Sequence, residues 1–295
     1  MIFYIILCLV IIIILAIIIW GVVTKWKFIK RKSKDGYEGK NVDNERKILF
    51  VTTFNDKIYK TSGYKLLKSY LKFVNEQNNI TFNVFTEGNI EINFNRSDIN
   101  IKKIEDSKYL KNWLNKNKDI IPISLGGNCK KNLPYFNKRA SLFFRKIAAL
   151  YESYDKTFEM IIWLDSDLEI TSKIEESFFL KFFNKKDIEL YYLYGNYRRN
   201  KSLKDNIYNR LGVETAFLVF KKNYNILNEW FKIYEKDFIN CGRWDDGWIM
   251  KFVLDNTKYK SIDIGGDCDN PLEKSKLKHM FVHNKGIHMK ENIIF

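Results

Sequence analysis

Met160-Ile161-Ile162-Trp163-Leu164-Asp165-Ser166-Asp167-Leu168-Glu169-Ile170 is the stretch on which the fold of this chain turns. Its apolar part is short and unbroken and includes two β-branched isoleucines, which predicts a buried central strand rather than an amphipathic helix. The run passes directly into Asp165-Ser166-Asp167. Open α/β sheets bind ligands where strands leave the sheet at their carboxyl ends. Two carboxylates one residue apart at such a place suit a hard divalent cation, which takes oxygen ligands and bridges to phosphates. Without a cation they would be costly to hold at the end of a buried strand. A solvated Asp-Ser turn is the plainer alternative.

Working outward, Lys138 to Tyr154 has helical spacing in Leu142, Phe143, Ile147 and Leu150 and leads into the strand. Of its cations, Arg139 and Lys146 are seven apart and share a face. Arg145 is turned about 100° from Lys146. Further back, Lys47 to Phe54 reads as a buried strand, Tyr59 to Asn78 as an amphipathic helix and Thr81 to Thr86 as a strand. That β-α-β unit implies a parallel sheet. Between Asn89 and Asn132 only a short helix at Leu110, Trp113 and Leu114 and a turn at Gly126-Gly127-Asn128 stand out.

Beyond the carboxylates, the pattern predicts a short helix over Ile174 to Phe183, a strand over Ile188 to Tyr194 and a loop over Tyr197 to Arg210. A strand over Val213 to Phe220 and a helix over Tyr224 to Phe238 follow. Cys241 to Trp248 (CGRWDDGW) opens a helix through Leu254, and Lys258 to Ile264 reads as a last strand. All three histidines, His279, His283 and His288, fall in the tail.

The 295 residues are 46% hydrophobic and 16% aromatic, ample for a large core and far from a disordered composition. A net charge of +15 invites a nucleic-acid reading. Lys is spread along the whole chain, however, with no Arg- or Gly-rich tract and no zinc-finger spacing, so no nucleic-acid partner is expected. A basic face still suits anionic donors or lipid headgroups. Four cysteines without a CxxC pair argue against both a disulfide framework and a structural zinc.

Residues 1–23 are almost wholly apolar, with Tyr4 and Trp20 near the two ends. About 20 such residues span a bilayer, and aromatic rings favour its interfaces. The features of a cleaved signal peptide are missing, so a permanent single-pass membrane anchor is expected. Lys25, Lys27, Lys30, Arg31, Lys32 and Lys34 follow it, and by the positive-inside rule the domain faces the cytoplasm. A secretory lumen is the alternative. Residues 24–46 read as a basic linker and 47–295 as the α/β domain.

Phe143 to Ile170, FFRKIAALYESYDKTFEMIIWLDSDLEI, resembles the core of GT-A fold glycosyltransferases, which carry a DxD motif. Ile48 to Asp56 followed by Tyr59 to Lys72 is similar to that family's first strand and helix. Val213 to Phe220 (VETAFLVF) is similar to a later strand, with Ala216 where Gly is usual. Phe281 to His288 (FVHNKGIH) is similar to the H-x-x-G-x-x-K tail of glycogenin-like members. Position 289 is Met, though, and Lys290 comes one place late, so Lys285 is the substitute.

The resemblance implies a Rossmann-like, mostly parallel sheet flanked by helices. It implies Asp165, Asp167 and His283 as ligands of Mn2+ or Mg2+, with His288 a weaker candidate. Thr52, Thr53, Phe54, Arg139, Lys146, Asp165, Ser166, Lys285 and Gly286 would contact the nucleotide-sugar donor. Asp246, Asp245 and Glu214 would be the catalytic carboxylates, although Asp at a helix start is also an ordinary N-cap.

The expected activity is transfer of a hexosyl or pentosyl group from a nucleotide sugar, UDP-sugar favoured, to a glycan, protein or lipid. The glycogenin-like tail favours retention, and the Asp pair suits inversion equally. Two alternatives stand beside this reading. One is a membrane-tethered, non-catalytic carbohydrate- or nucleotide-sugar-binding protein. The other is a haloacid dehalogenase-type phosphatase, whose DxDx[TV] pattern is broken here by Glu169.

Overall fold

The computed structural model describes residues 48–76, 79–119, 139–202, 212–236 and 244–285. In chain order, β1 (Ile48–Asn55) runs into one helical turn, a π-turn at Tyr59–Gly63 and helix α1 (Tyr64–Phe73). Strands β2 (Ile80–Glu87) and β3 (Ile99–Lys103) follow, then α2 (Lys108–Asn117) and α3 (Ala140–Glu152). The decisive stretch forms β4 (Met160–Leu164) and β5 (Leu168–Ile170). After it come α4 (Glu176–Phe182), β6 (Leu190–Leu193), α5 (Gly195–Ser202), β7 (Glu214–Lys221) and α6 (Asn225–Tyr234). Helix α7 (Asp246–Asn256), β8 (Ser261–Asp263) and β9 (Phe281–His283) complete the set.

Seven strands form one sheet in the order β3-β2-β1-β4-β7-β6-β8, and β5 pairs with β9 in a second, smaller one. Only β7 runs against its neighbours in the large sheet, so it is the mostly parallel α/β sheet that the resemblance implies. The chain moves outward from β1 to β2 and β3 on one side, then returns to place β4 on the other. The crevice between the carboxyl ends of β1 and β4 is therefore a topological switch point, where open α/β sheets bind ligands.

Alternation along β4 divides its side chains between two cores. Met160, Ile162 and Leu164 join Phe50 of β1, Tyr70 of α1 and Phe179 of α4. Ile161 and Trp163 join Phe144 and Ile147 of α3, Trp230 of α6 and Ile249 of α7. A strand buried on both faces needs this unbroken apolar run. Truncating fully buried Ile162 to Ala would cost about 2–5 kcal/mol.

Three elements depart from the sequence reading. The expected loop at Tyr197 to Arg210 starts inside α5, although GNYRRNKS has no apolar stripe; its remainder, 203–211, lies outside the described residues. Strand β3 (INIKK) is an exposed edge strand, so no hydrophobic pattern marks it. Strand β9 is three residues long and takes its place only by pairing with β5. Among the described residues no helix is long and apolar enough to cross a membrane; the expected span, 1–23, lies outside them.

Candidate active site

Strand β4 stops where the Asp165 N–H donates to Ala216 O of β7 at 2.8 Å. A tight turn then brings Leu168 N to Asp165 O at 3.0 Å, with half-buried Ser166 at its tip and Asp165 and Asp167 on either side. Strand β5 leaves the turn and pairs with β9 in the register Leu168 to His283. Asn284 N extends that ladder to Asp167 O at 3.0 Å. A backbone ladder thus carries the tail histidine to the DSD turn, and His283 Nε2 comes 3.3 Å from Asp167 Oδ1. One donor atom from each of Asp165, Asp167 and His283 lies within 4.8 Å of the others.

Asp165 is oriented from below. Trp163, two residues earlier on the same face of β4, donates its indole N–H to Asp165 Oδ1 at 2.6 Å. Lys146 of α3 reaches the same oxygen at 2.9 Å and lies over the Trp163 ring. Both contacts fall on Oδ1. Lys146 also donates to Asp246 Oδ2 at 2.5 Å and Thr215 Oγ1 at 2.9 Å, and Thr215 Oγ1 donates to Asp246 Oδ2 at 2.7 Å. One buried ammonium therefore ties α3, β4, β7 and α7 together at the carboxyl edge of β4.

The titration behaviour follows from that packing. Burial works against the Lys146 charge, but Asp165 and Asp246 outweigh it and push its pKa up. Burial would raise Asp246, and Lys146 and Thr215 bring it below the usual carboxylate range. Asp165 ends above that range, because burial and the charges of Asp167 and Asp246 outweigh the help from Lys146. For His283, burial is outweighed by the hydrogen bond and charge of Asp167, and its pKa rises.

A second cluster flanks the first. Glu214, the first residue of β7, accepts from Lys285 Nζ at 2.7 Å and lies 3.3 Å from Arg198 Nη2. Burial would raise Glu214, and Arg198 followed by Lys285 holds it below its ordinary value. Four carboxylates (Asp165, Asp167, Glu214 and Asp246) thus face three cations (Lys146, Arg198 and Lys285). With His283 neutral the described cluster is one charge negative, and a divalent cation makes it positive, the sign a diphosphate needs.

The remaining predicted residues are placed as follows. Asp245 is the buried N-cap of α7, accepting from Trp248 N at 3.0 Å, while Asp246 turns to Lys146. Thr52 is buried beyond the last β1–β4 pair, and its Oγ1 has no hydrogen-bond partner among the described residues. Thr53 is half-buried, and Phe54 is buried and stacked on Tyr59 at 5.4 Å. Arg139 stands exposed at the head of α3, two turns from Lys146. Arg145 instead makes a bidentate bond to Glu87 at the end of β2. Gly286 and His288 lie outside the described residues.

Thr215, Arg198 and Trp163 join the cluster without having been singled out, as does Asn270, whose Oδ1 lies 3.2 Å from His283 Nδ1. Only Thr215 and Trp163 carried a signal: Thr215 adjoins Glu214, and Trp163 stands two residues before Asp165. The donor set fits a cation of the expected kind: two carboxylates suit Mn2+ and Mg2+, and one imidazole tilts the choice toward Mn2+.

No family model and no curated protein matches the chain in sequence. Among solved structures it is similar to mouse xyloside xylosyltransferase 1 in its apo form. That likeness has 10% identity and a TM-score of 0.48, over 74% of this chain and 85% of that one. It is also similar to the apo structure of WbbM, a bifunctional glycosyltransferase, at 11% identity and a TM-score of 0.49. There it covers 85% of this chain and 48% of that one, so the chain spans about half of WbbM. These are likenesses in outline, and the functional reading stands on the site's own residues.

Proposed function

We propose that the protein is a metal-dependent glycosyltransferase of the GT-A type that takes its sugar from a nucleotide-sugar donor. One observation carries the reading: Asp165, Asp167 and His283 converge within 4.8 Å at the carboxyl end of β4, beside a topological switch point. A bound Mn2+ or Mg2+ supplies the charge that neutralises a donor diphosphate as it leaves. The nucleotide would lie at the carboxyl end of β1, where Thr53 is half-buried and Thr52 and Phe54 are buried beside it. Lys285, held by Glu214 and 42% exposed, is the cation best placed to meet the diphosphate.

Every carboxylate of the described cluster already has a partner. Asp246 and Glu214 each sit in an ion pair with a lowered pKa, which makes them weak proton acceptors. We read them as the groups that orient Lys146 and Lys285. Catalysis then rests chiefly on electrostatic stabilisation of the departing diphosphate.

A UDP-sugar is the favoured donor and a glycan, protein or lipid the acceptor, with the domain held at the cytoplasmic face of a membrane by residues 1–23. The test is a thermal-shift panel of UDP-, GDP- and CMP-sugars with and without Mn2+, followed by donor hydrolysis. Specific binding raises Tm by mass action. A Mn2+-dependent rise with one donor class, together with Mn2+-dependent hydrolysis lost in Asp167→Ala, supports the reading. No shift with any donor overturns it.

A further inference from the structure

His283 has two ring nitrogens, and only one faces the carboxylates. Nε2 lies 3.3 Å from Asp167 Oδ1, and Nδ1 lies 3.2 Å from Asn270 Oδ1. A neutral imidazole carries one proton, and only the nitrogen without it can bind a cation. Whatever fixes that proton on Nδ1 therefore makes His283 a ligand.

The Asn270 amide is itself fixed from its other side. Its Nδ2 donates to Glu273 Oε1 at 2.7 Å and to the His283 backbone oxygen at 3.3 Å. Both partners only accept. Turning the amide over would set its oxygen against a carboxylate and a carbonyl, losing both bonds. Oδ1 must then face Nδ1, and being an acceptor it requires the proton there. The loop is braced as well: Asn270 O accepts from Cys268 Sγ at 2.8 Å and Glu273 N at 3.1 Å, and Gly266 N donates to Pro271 O at 2.7 Å.

We propose that Asn270 is a positioning residue that holds His283 in the tautomer able to ligate a cation through Nε2, with Glu273 fixing Asn270 in turn. The proposal rests on the metal-binding reading above and adds to it a residue thirteen positions before His283. The bond to Asn270 holds the ring with Nε2 turned toward Asp167 and leaves the Nε2 lone pair for a cation. Partners of this kind hold a metal-bound imidazole in one orientation, and losing one costs about 10–100-fold in metal affinity.

The test uses the full chain with Mn2+ as the probe, its Kd read by electron paramagnetic resonance, and nitrogen-15 NMR of the His283 ring with diamagnetic Mg2+. Asn270→Ala weakens Mn2+ about 10–100-fold, with Tm and circular dichroism close to wild type. The double variant Asn270→Asp, Glu273→Gln restores an acceptor to Nδ1 and a donor to that acceptor, and it recovers the affinity. The Mg2+-loaded wild-type ring shows Nδ1 protonated.

Unchanged Mn2+ affinity in Asn270→Ala overturns the proposal, as does equal loss in the double variant, which would make Asn270 a loop tie only. A ring protonated on Nε2 overturns it without any variant, even if Asn270→Ala does not fold. A wild-type chain that binds no Mn2+ defeats instead the reading on which the proposal rests. The two failures are thus separable.

Discussion

Lys146 Nζ stands 2.5 Å from Asp246 Oδ2, a part-buried contact between residues one hundred positions apart. It joins the helix that precedes the DSD strand to helix α7, which begins at Asp246. The same ammonium holds Asp165, so the geometry of the carboxylate turn depends on this pair.

Removing one partner leaves buried charge uncompensated, typically at about 3–5 kcal/mol. Lys146→Met is expected to lose stability of that order by denaturant unfolding, and Asp246→Asn less, since an amide still accepts from Thr215 and Lys146. The sign with pH follows. Asp246 is held below its ordinary pKa by Lys146, so its share of stability is present above the usual carboxylate range and disappears as pH falls through its lowered value. Lys146 is raised, so its share is present below the ordinary lysine pKa and is lost only at still higher pH.

Metal binding is expected to weaken as pH falls. Asp165 and His283 both have raised pKa values in the metal-free protein, so protons compete with the cation for them. Calorimetry in buffers of different ionisation enthalpy should show proton release on Mn2+ binding that grows as pH falls through the raised His283 pKa. The metal-free protein behaves oppositely at this residue: the stability that protonated His283 contributes is complete below the ordinary histidine pKa and is lost as pH rises through the raised one.

Lys285→Ala is expected to lower donor turnover about 10²-fold, the usual loss when one stabilising donor is removed from a leaving group. Glu214→Gln should cost less in turnover and more in Tm, because it removes a buried negative charge beside Arg198 and Lys285. Steady-state donor hydrolysis beside thermal unfolding separates the two effects.

Gly212 and Gly247 bring the start of β7 against the head of α7. A Cβ on Gly212 would lie 2.3 Å from Gly247 C, and one on Gly247 would lie 2.4 Å from Val213 O. Both obstacles are backbone. Gly247→Ala is expected to destabilise by about 1–3 kcal/mol by overpacking. It should also move Asp246 away from Lys146, seen as a metal affinity lowered more than Tm alone accounts for.

Much of the architecture was legible because burial on both faces leaves a plain mark. MIIWL could only be a central strand, and the β-α-β opening fixed the parallel sense of the sheet. Asp165, Asp167 and Lys146 could be picked out because charge at the edge of an apolar run is conspicuous. The route by which His283 reaches Asp167 could not be read, since a three-residue pairing across more than a hundred positions has no local signature. Strand β3 is exposed and half polar, and α5 has no apolar face, so neither shows periodicity. Asn270 and Thr215 are ordinary polar residues that gain meaning only from the partners the fold supplies. The apolar residues 1–23 remain a sequence expectation, and a glycosylation reporter fused to Phe295 should stay unmodified if the domain faces the cytoplasm.

The central claim is that Asp165, Asp167 and His283 together hold a divalent cation. Its most direct test is a Mn2+ titration of the full chain followed by electron paramagnetic resonance, beside Asp167→Asn and His283→Ala. The account predicts one saturable site in the wild type, with affinity lowered at least about 10-fold in each variant while both stay folded. A wild type without saturable binding, or variants that bind Mn2+ as tightly as it does, would contradict it.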